Sequence, residues 1–201
     1  MKSYPSISKD IILNENVYIF DKIDGSNIRA EWSKKKGFYK FGTKKCLIDE
    51  NTPIFGKSIA LIKQSYENQL SYVFKKERIV DNVVCFFEFV GSNSFAGWHD
   101  EKDFFETVLF DINLFKKGFL GPKEFLEYTK EVFIPRLLYR GKLNQNIIES
   151  IRKSTLEGMT FEGVVCKGTN SGNMCKIKSQ AWLDKLKTKC GNDIQKFEEL
   201  C

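Results

Sequence analysis

The sequence contains a single histidine, four prolines and six cysteines, and no two of the cysteines have CxxC spacing. A zinc site built from Cys and His ligands is therefore not expected. Cys85 and Cys166 lie in apolar, strand-like runs, so we expect them to be small buried hydrophobic side chains. The histidine, His99, lies in a polar segment typical of a loop, and the sequence assigns it no role.

Internal repeats, low-complexity tracts and linkers rich in Pro, Gly or Ser are also absent. No stretch approaches the length of a membrane span, and residues 1–5 carry no apolar signal segment, so we expect a cytoplasmic protein without membrane partners. With 201 residues, 42% of them hydrophobic and 29% charged, the chain has the size and composition of one globular domain. We therefore expect a single domain over residues 1–201 and a monomer.

The charge of the chain is moderately positive. A net charge of +6 and a pI near 8.9 favour an anionic partner such as RNA, DNA or a nucleotide. Many basic soluble proteins bind no nucleic acid, however, so the evidence for a function has to come from particular residues.

Short β-like runs alternate with a few helices along the chain. Apolar residues recur every three or four positions over about 56–76 and again from Pro122 to about 132, which predicts two helices. Residues 81–90 are apolar on both strand faces, which indicates a buried central strand. Ser179 is suited to cap a last helix that ends at Gly191. Further strands are expected at 17–20, 28–32, 38–41, 107–112, 161–167 and 176–178, and a further helix at about 146–153. This mixture predicts an α+β fold.

Lys22 lies where an apolar run meets a glycine turn, in the segment Asp-Lys-Ile-Asp-Gly-Ser-Asn at residues 21–27. An ordinary lysine has a pKa of roughly 10.4, whereas a lysine that is buried or close to other cations can lose its proton and act as a nucleophile. Gly25 permits the backbone to approach a ligand closely. A Lys-x-Asp-Gly tetrapeptide by itself is weak evidence, because chance matches are common.

Three later segments place charges within apolar runs. Glu88 lies in the middle of a buried run, where its carboxylate needs either a structural salt bridge or a bound ribose hydroxyl. Glu162 and Lys167 bracket another run, and strict alternation places them on opposite faces, so a bulge or a strand end is needed if both contact one ligand. Lys176 and Lys178 share a strand face, where two like charges require a facing anion or a wet surface.

Five segments follow one another along the chain: Lys-x-Asp-Gly, the strand-borne Glu, Phe-Asp-Ile, Glu-Gly-Val-Val-x-Lys and Lys-x-Lys. In this order they resemble the motifs of the covalent nucleotidyltransferase superfamily of ATP-dependent ligases and capping enzymes. The chain is most similar to the RNA ligases of bacteriophages and of RNA-editing systems, from about residue 18 to about 180. The resemblance implies an ATP-grasp-like nucleotidyltransferase domain with antiparallel β-sheets flanked by helices and an adenylate pocket between the sheets. Larger members add a C-terminal domain or an OB domain, and we expect this chain to have neither. The resemblance also leaves open that a virus or phage encodes the protein.

The resemblance implies a reaction of ATP in which Lys22 is the nucleophile. Lys22 would attack the α-phosphate, release pyrophosphate and form a lysyl-adenylate, with Glu88, Lys176 and Lys178 completing the catalytic set. AMP would pass to an RNA 5′-phosphate, and a 3′-hydroxyl would then displace AMP and close the strand. RNA with these ends is the implied partner, and ATP with Mg²⁺ or Mn²⁺ are the implied cofactors.

The same resemblance assigns individual contacts. Glu88 would hold the ribose, Phe110 would stack on adenine, and Glu162 would bind the metal. Lys44 stands where the family usually has an arginine and would contact RNA or phosphate, without the planar two-pronged grip of a guanidinium. The residues with an implied role in nucleotide binding are Asp21, Ile23, Asn27, Glu88, Phe110, Lys167, Lys176 and Lys178.

Three functions stay open on this basis. The first is an ATP-dependent RNA ligase, acting on nicks, tRNA breaks or single strands. The second is a nucleotidyltransferase that modifies another acceptor or uses GTP, as capping enzymes do, and the third is a catalytically silent RNA-binding relative. The intact lysine, both carboxylates and the Lys-x-Lys pair argue against the silent relative, because a binding module has no need for all of them.

Overall fold

The computed structural model describes residues 1–79, 82–91, 104–169, 173–191 and 193, so His99 lies outside the described residues. Strands and helices follow one another irregularly, and the α+β prediction is confirmed. The strands are β1 (Asn16–Asp21), β2 (Ser26–Ser33), β3 (Gly37–Thr43), β4 (Leu47–Ile48), β5 (Val83–Val90), β6 (Glu106–Leu114), β7 (Gly118–Phe119), β8 (Leu137–Lys142), β9 (Gly163–Gly168) and β10 (Met174–Lys178). The helices are α1 (Gly56–Lys76), α2 (Pro122–Tyr128), α3 (Gln145–Arg152) and α4 (Gln180–Cys190).

The chain divides into two compact units. A six-stranded unit comprises Met1–Ser6 and Asp24–Pro135, and a four-stranded unit comprises Ile7–Ile23 and Arg136–Cys201. The expectation of one domain over residues 1–201 stays a prediction. Among the described residues, none of the helices combines the length and the hydropathy that crossing a bilayer requires.

The six-stranded sheet has the order β4-β3-β2-β5-β6-β7, and every neighbouring pair is antiparallel. β5 lies inside the sheet with residues 83–87 buried, which confirms the predicted central strand. α1 packs against this sheet with one apolar stripe at spacings of three and four, formed by Ile59, Ile62, Tyr66, Leu70 and Phe74. The periodicity of the sequence therefore predicted both the existence and the extent of α1.

The four-stranded sheet has the order β10-β9-β1-β8, also antiparallel. Alternate residues of the three strands β1, β9 and β10 form an apolar face that packs with α3. The face consists of Val17, Ile19, Val164, Cys166, Cys175 and Ile177. Cys166 is fully buried there, and Cys85 is fully buried in the other unit, so both are small core residues as predicted.

A helix end and three edge strands, β4, β7 and β8, differ from the sequence expectations. α2 ends at Tyr128, short of the expected residue 132, where the Thr129 hydroxyl donates a 2.7 Å hydrogen bond to the Phe125 carbonyl. β8 was not predicted, because it is an edge strand whose side chains are exposed or half-buried and carry no apolar alternation. α4 begins and ends as predicted: the Ser179 hydroxyl accepts from the Trp182 N–H, and Gly191 has φ 57°.

Candidate active site

The four-stranded sheet presents its lysines on the face opposite the apolar core. Residues that pair across antiparallel strands share a face, and Lys167 pairs with Met174, Lys176 with Val165 and Lys178 with Gly163. Strand alternation then places Lys167, Lys176 and Lys178 together, away from Cys166 and Ile177. The predicted pairing of two lysines on one face is confirmed, and Lys167 joins them.

Glu162 bridges two lysines. Lys178 Nζ donates a 2.7 Å hydrogen bond to Glu162 Oε1, and Lys22 Nζ lies 3.0 Å from Glu162 Oε2. Glu162 is 4% exposed, Lys178 8% and Lys22 22%. One carboxylate thus faces two cations in a largely desolvated place. The arrangement suits an anionic ligand.

Gly163 explains how Glu162 reaches these lysines. Strict alternation would have placed Glu162 on the apolar face, but β9 begins only at Gly163, and Gly163 has φ 138°, a conformation that favours glycine. A Cβ at this position would collide with the Ile177 carbonyl oxygen. The preceding segment is held by Ser179, whose N–H donates to the Glu162 carbonyl at 3.0 Å. Of the two alternatives that the sequence left open, a bulge or a strand end, the structure has the strand end.

Aromatic rings cover the buried lysines. Lys178 Nζ lies 3.4 Å from the ring centroid of Trp182, which is buried in the first turn of α4. Lys167 is 6% exposed, and its Nζ lies 5.5 Å from the ring centroid of Phe20. Such cation–π contacts stabilise ammonium groups that have lost water. The contact of Trp182 with Lys178 could not be predicted, because nothing in the local sequence pattern indicates that a helix residue lies over a strand lysine.

Asp21 fixes the start of the lysine motif. Its Oδ1 is buried and accepts hydrogen bonds from the Thr160 N–H at 2.8 Å and the Thr160 hydroxyl at 3.0 Å. The backbone of Lys22 is held in turn, because its N–H donates to the Gly163 carbonyl at 2.9 Å. Burial raises the pKa of the Asp21 carboxyl, an effect that the hydrogen bonds from Thr160 oppose. Thr160 was missed in the sequence, where it carries no recognisable signal.

In the six-stranded unit, Asn27 and Glu88 lie directly opposite each other on β2 and β5. The Oδ1 atom of Asn27 is buried and has no hydrogen-bond partner among the described residues. The turn before β2 passes close to β5, since a Cβ on Gly25 would lie 2.5 Å from the Phe89 carbonyl oxygen. The glycine of the Lys-x-Asp-Gly motif is therefore required by packing in this unit.

Phe110 lies at an irregularity of β6. Leu109 pairs with Phe87 and Asp111 pairs with Phe86, so Phe110 is the extra residue of a β-bulge. Its ring centroid is 4.9 Å from that of Tyr4, edge to face, and the side chain is half-buried. Bulges re-aim side chains and are frequent beside active sites.

Two further predicted residues occupy simpler positions. Lys44 is exposed in the turn between β3 and β4, in the six-stranded unit. Ile23 is half-buried directly after Lys22, in the four-stranded unit. The structure therefore brings together Lys22, Glu162 and Lys178 by direct contact, and Asn27 with Glu88 by strand register.

The oxygen donors at Glu162 are of the kind that Mg²⁺ and Mn²⁺ prefer. Glu162 Oε2 is buried and accepts no hydrogen bond from the described residues, and its contact with Lys22 is an ion pair. In the part of the chain that the structure describes, no group of three or more His, Cys, Asp or Glu side chains could hold a metal ion. The residues thus fit a metal that is bound mainly by phosphates and water, since Mg²⁺ commonly takes one or two carboxylates with substrate phosphates.

A sequence model of the family described as RNA ligase matches residues 15–182. The chain belongs to the RNA ligase family. The matched interval includes Lys22, Glu88, Glu162 and both lysines of the Lys-x-Lys pair, and it ends in the first turn of α4. No curated protein matches the sequence.

Solved structures of Naegleria gruberi RNA ligase share the fold of this RNA ligase family member. A variant with ATP and Mn has a TM-score of 0.70 at 16% identity, with 92% of this chain and 58% of that chain covered. An apo variant has a TM-score of 0.68 at 17% identity, with 90% of this chain and 59% of that chain covered. The enzyme with PPi has a TM-score of 0.66 at 17% identity, covering 88% and 53%. This chain therefore spans little more than half of the length of these relatives, and at such identities the likeness shows the fold.

Proposed function

We propose that the chain is an ATP-dependent RNA ligase in which Lys22 becomes covalently bound to AMP. The observation that carries the proposal is the cluster in which Glu162 contacts both Lys22, at 3.0 Å, and Lys178, at 2.7 Å. A structural salt bridge needs one cation for one carboxylate, whereas this carboxylate contacts two, and Lys167 and Lys176 lie on the same sheet face as Lys178. Membership of the RNA ligase family supports the same conclusion.

In the first step, Lys22 Nζ attacks the α-phosphorus of ATP. A phosphorus–nitrogen bond forms, the bond from the α-phosphorus to the bridging oxygen breaks, and pyrophosphate leaves with the electron pair. Nζ attacks in its unprotonated form, so the ion pair with Glu162 at 3.0 Å has to open first. We assign the ammonium groups of Lys176 and Lys178 to the negative charge that develops on the phosphates. When bound at Glu162, Mg²⁺ or Mn²⁺ would neutralise phosphate charge.

We assign Glu88, Asn27 and Phe110 to the nucleoside part of ATP. Glu88 and the partnerless Oδ1 of Asn27 are hydrogen-bond acceptors, and ribose hydroxyls are suitable donors. Phe110 supplies a half-buried ring for adenine to stack on. Asp21 and Ile23, on either side of Lys22, remain assigned to nucleotide binding.

The remaining steps act on RNA. The 5′-phosphate of the RNA attacks the phosphorus of the lysyl-AMP, the phosphorus–nitrogen bond breaks, and Lys22 is released. A 3′-hydroxyl then attacks the activated 5′-phosphate, a phosphodiester bond forms and AMP leaves. We assign Lys167, which is buried on the lysine face, to the phosphates of the nucleotide, and Lys44, which is exposed, to RNA phosphates.

Covalent labelling tests this function. The protein is incubated with ATP labelled at the α-phosphate and with Mg²⁺ or Mn²⁺, and the label is read on a denaturing gel. We expect label on the wild type and none on Lys22→Ala. Lys153→Ala is a matched control, since Lys153 also forms an ion pair with a glutamate but is 71% exposed. Label that survives Lys22→Ala, or no label on the wild type, contradicts the proposal.

Three outcomes of related experiments separate the alternatives. Labelling by GTP and not by ATP would indicate a capping-like nucleotidyltransferase. Labelling by ATP without joining of 5′-phosphorylated RNA would indicate a nucleotidyltransferase with another acceptor. RNA binding without labelling by either nucleotide would indicate the silent relative.

A further inference from the structure

Phe161 is an exposed aromatic side chain whose neighbour in the chain, Glu162, contacts Lys22. It is 45% exposed, although the next residue, Glu162, is 4% exposed. Its backbone is held firmly, because the Phe161 carbonyl accepts a 2.6 Å hydrogen bond from the hydroxyl of Ser179, the N-cap of α4. The fold therefore holds the backbone of this exposed residue in place.

α4 adds positive charge next to this ring. Lys185 is exposed on α4, and its Nζ lies 5.2 Å from the ring centroid of Phe161. Lys189 is exposed four residues later, so it lies on the same helix face, about 6 Å further along the axis. The surface formed by Phe161, Lys185 and Lys189 is called the α4 surface below.

An aromatic ring with lysines beside it binds single-stranded nucleic acid by two separate interactions. A base stacks on the ring, whichever base it is, and the ammonium groups neutralise phosphates. A double helix suits the α4 surface less well, because its bases are already stacked on one another. The lysines of this surface lie beyond residue 182, where the match to the family ends.

We propose that the α4 surface binds the single-stranded 5′ end of the RNA substrate. The inference rests on the proposed function, in which the RNA 5′-phosphate must reach the AMP on Lys22. Because Glu162 contacts Lys22 and Phe161 is its neighbour in the chain, the first nucleotides of the RNA pass Phe161. One of their bases stacks on the ring, and the phosphates that follow pair with Lys185 and Lys189.

Binding is measured by fluorescence anisotropy with a 5′-phosphorylated single-stranded RNA oligonucleotide and no ATP. Phe161→Ala should weaken binding by roughly 5- to 150-fold, the effect of losing one stacked base. Phe161→Tyr keeps the ring and should retain most of the affinity. Phe115→Ala is a matched control, since Phe115 is 52% exposed and Lys116 Nζ lies 5.4 Å from its ring centroid.

The charges are tested through the salt dependence of the same binding. For a single strand, each lysine that neutralises a phosphate contributes about 0.7 to the slope of log affinity against log salt concentration. Lys185→Gln with Lys189→Gln should therefore lower the slope by about 1.4. Lys116→Gln should leave the slope unchanged.

Labelling with ATP distinguishes a failure of this inference from a failure of the proposed function. Phe161→Ala and the double lysine variant should form lysyl-AMP as the wild type does and lose RNA joining. The proposal for the α4 surface is overturned if Phe161→Ala binds the single-stranded RNA as tightly as the wild type does. It is also overturned if Phe115→Ala loses as much affinity as Phe161→Ala, or if Phe161→Ala loses affinity for a blunt RNA duplex alone. Absence of label on the wild type would overturn the ligase function, and the anisotropy measurements would still decide RNA binding.

Discussion

Replacing Glu162 by Gln removes the carboxylate that Lys22 and Lys178 share. Because Glu162 and Lys178 are both more than nine-tenths buried, the change leaves an ammonium group without its counter-ion in a desolvated place. Breaking a buried ion pair in this way costs about 3–5 kcal/mol. Lys22 is 22% exposed and can turn toward water, so we expect the lower end, a loss of about 3 kcal/mol in the free energy of unfolding.

A double-mutant cycle isolates the pair from the rest of each side chain. Lys178→Met leaves the carboxylate of Glu162 with one cationic partner fewer. We expect this variant to lose about 2 kcal/mol in the free energy of unfolding. The double variant places an amide and an apolar side chain against Trp182, and replacing a buried ion pair as a unit is often neutral. We therefore expect it to lose much less than the sum of the single variants, with a coupling energy of about 2 kcal/mol or more.

Urea unfolding, followed by fluorescence and by circular dichroism, measures these free energies, and coincident transitions check that a two-state treatment applies. The matched control is the cycle of Glu149 and Lys153 on α3, whose side chains lie 3.6 Å apart but are 51% and 71% exposed. That pair should show a coupling of about 0.3–0.5 kcal/mol. A coupling in the Glu162 cycle no larger than in the control would refute the reasoning that burial makes this cluster strong.

Three further variants test other parts of the structure. Gly25→Ala should lower the free energy of unfolding by about 1–3 kcal/mol in urea, because its Cβ would lie 2.5 Å from a carbonyl oxygen of β5. The pKa of Asp21 is raised in the folded protein, so its carboxyl favours folding at low pH, and that contribution is lost as pH rises through the folded pKa. The amide of Asp21→Asn can still accept the hydrogen bond from Thr160, but it does not titrate. The stability of this variant relative to the wild type should therefore rise between about pH 3 and pH 7, as measured by thermal unfolding. Trp182→Leu should slow lysyl-AMP formation by about 5- to 30-fold through loss of the contact with Lys178, and Trp182→Phe should restore most of the rate.

Each of these variants has its own counter-test. Gly121→Ala should be nearly neutral, because a Cβ there would have nothing within 4 Å, and an equal loss would remove the steric explanation for Gly25. Parallel stability curves for Asp21→Asn and the wild type across the pH range would contradict the raised pKa. If Trp182→Phe were as slow as Trp182→Leu, the effect would be one of packing and not of the cation–π contact.

Several parts of the fold follow from local pattern. The extent of α1, the buried strand β5, and the cap and end of α4 at Ser179 and Gly191 agree with the predictions. Apolar periodicity, N-cap preference and glycine at a helix end are properties of neighbouring residues, so the sequence carries them directly. Edge strand β8 was missed because its side chains face solvent and show no alternation.

The candidate site was predictable in its membership and not in its contacts. The sequence by itself singled out Lys22, Glu162 and the Lys-x-Lys pair as candidates, because their order and spacing carry the resemblance to RNA ligases. The contact of Glu162 with Lys22 was decided by the tertiary structure, through the backbone at Gly163 and the hydrogen bonds of Ser179. Asp21 and Thr160 likewise meet across 139 residues of chain. Alternation and propensity act between neighbours, whereas such contacts depend on strand register and on one unusual φ angle, which only the folded chain specifies.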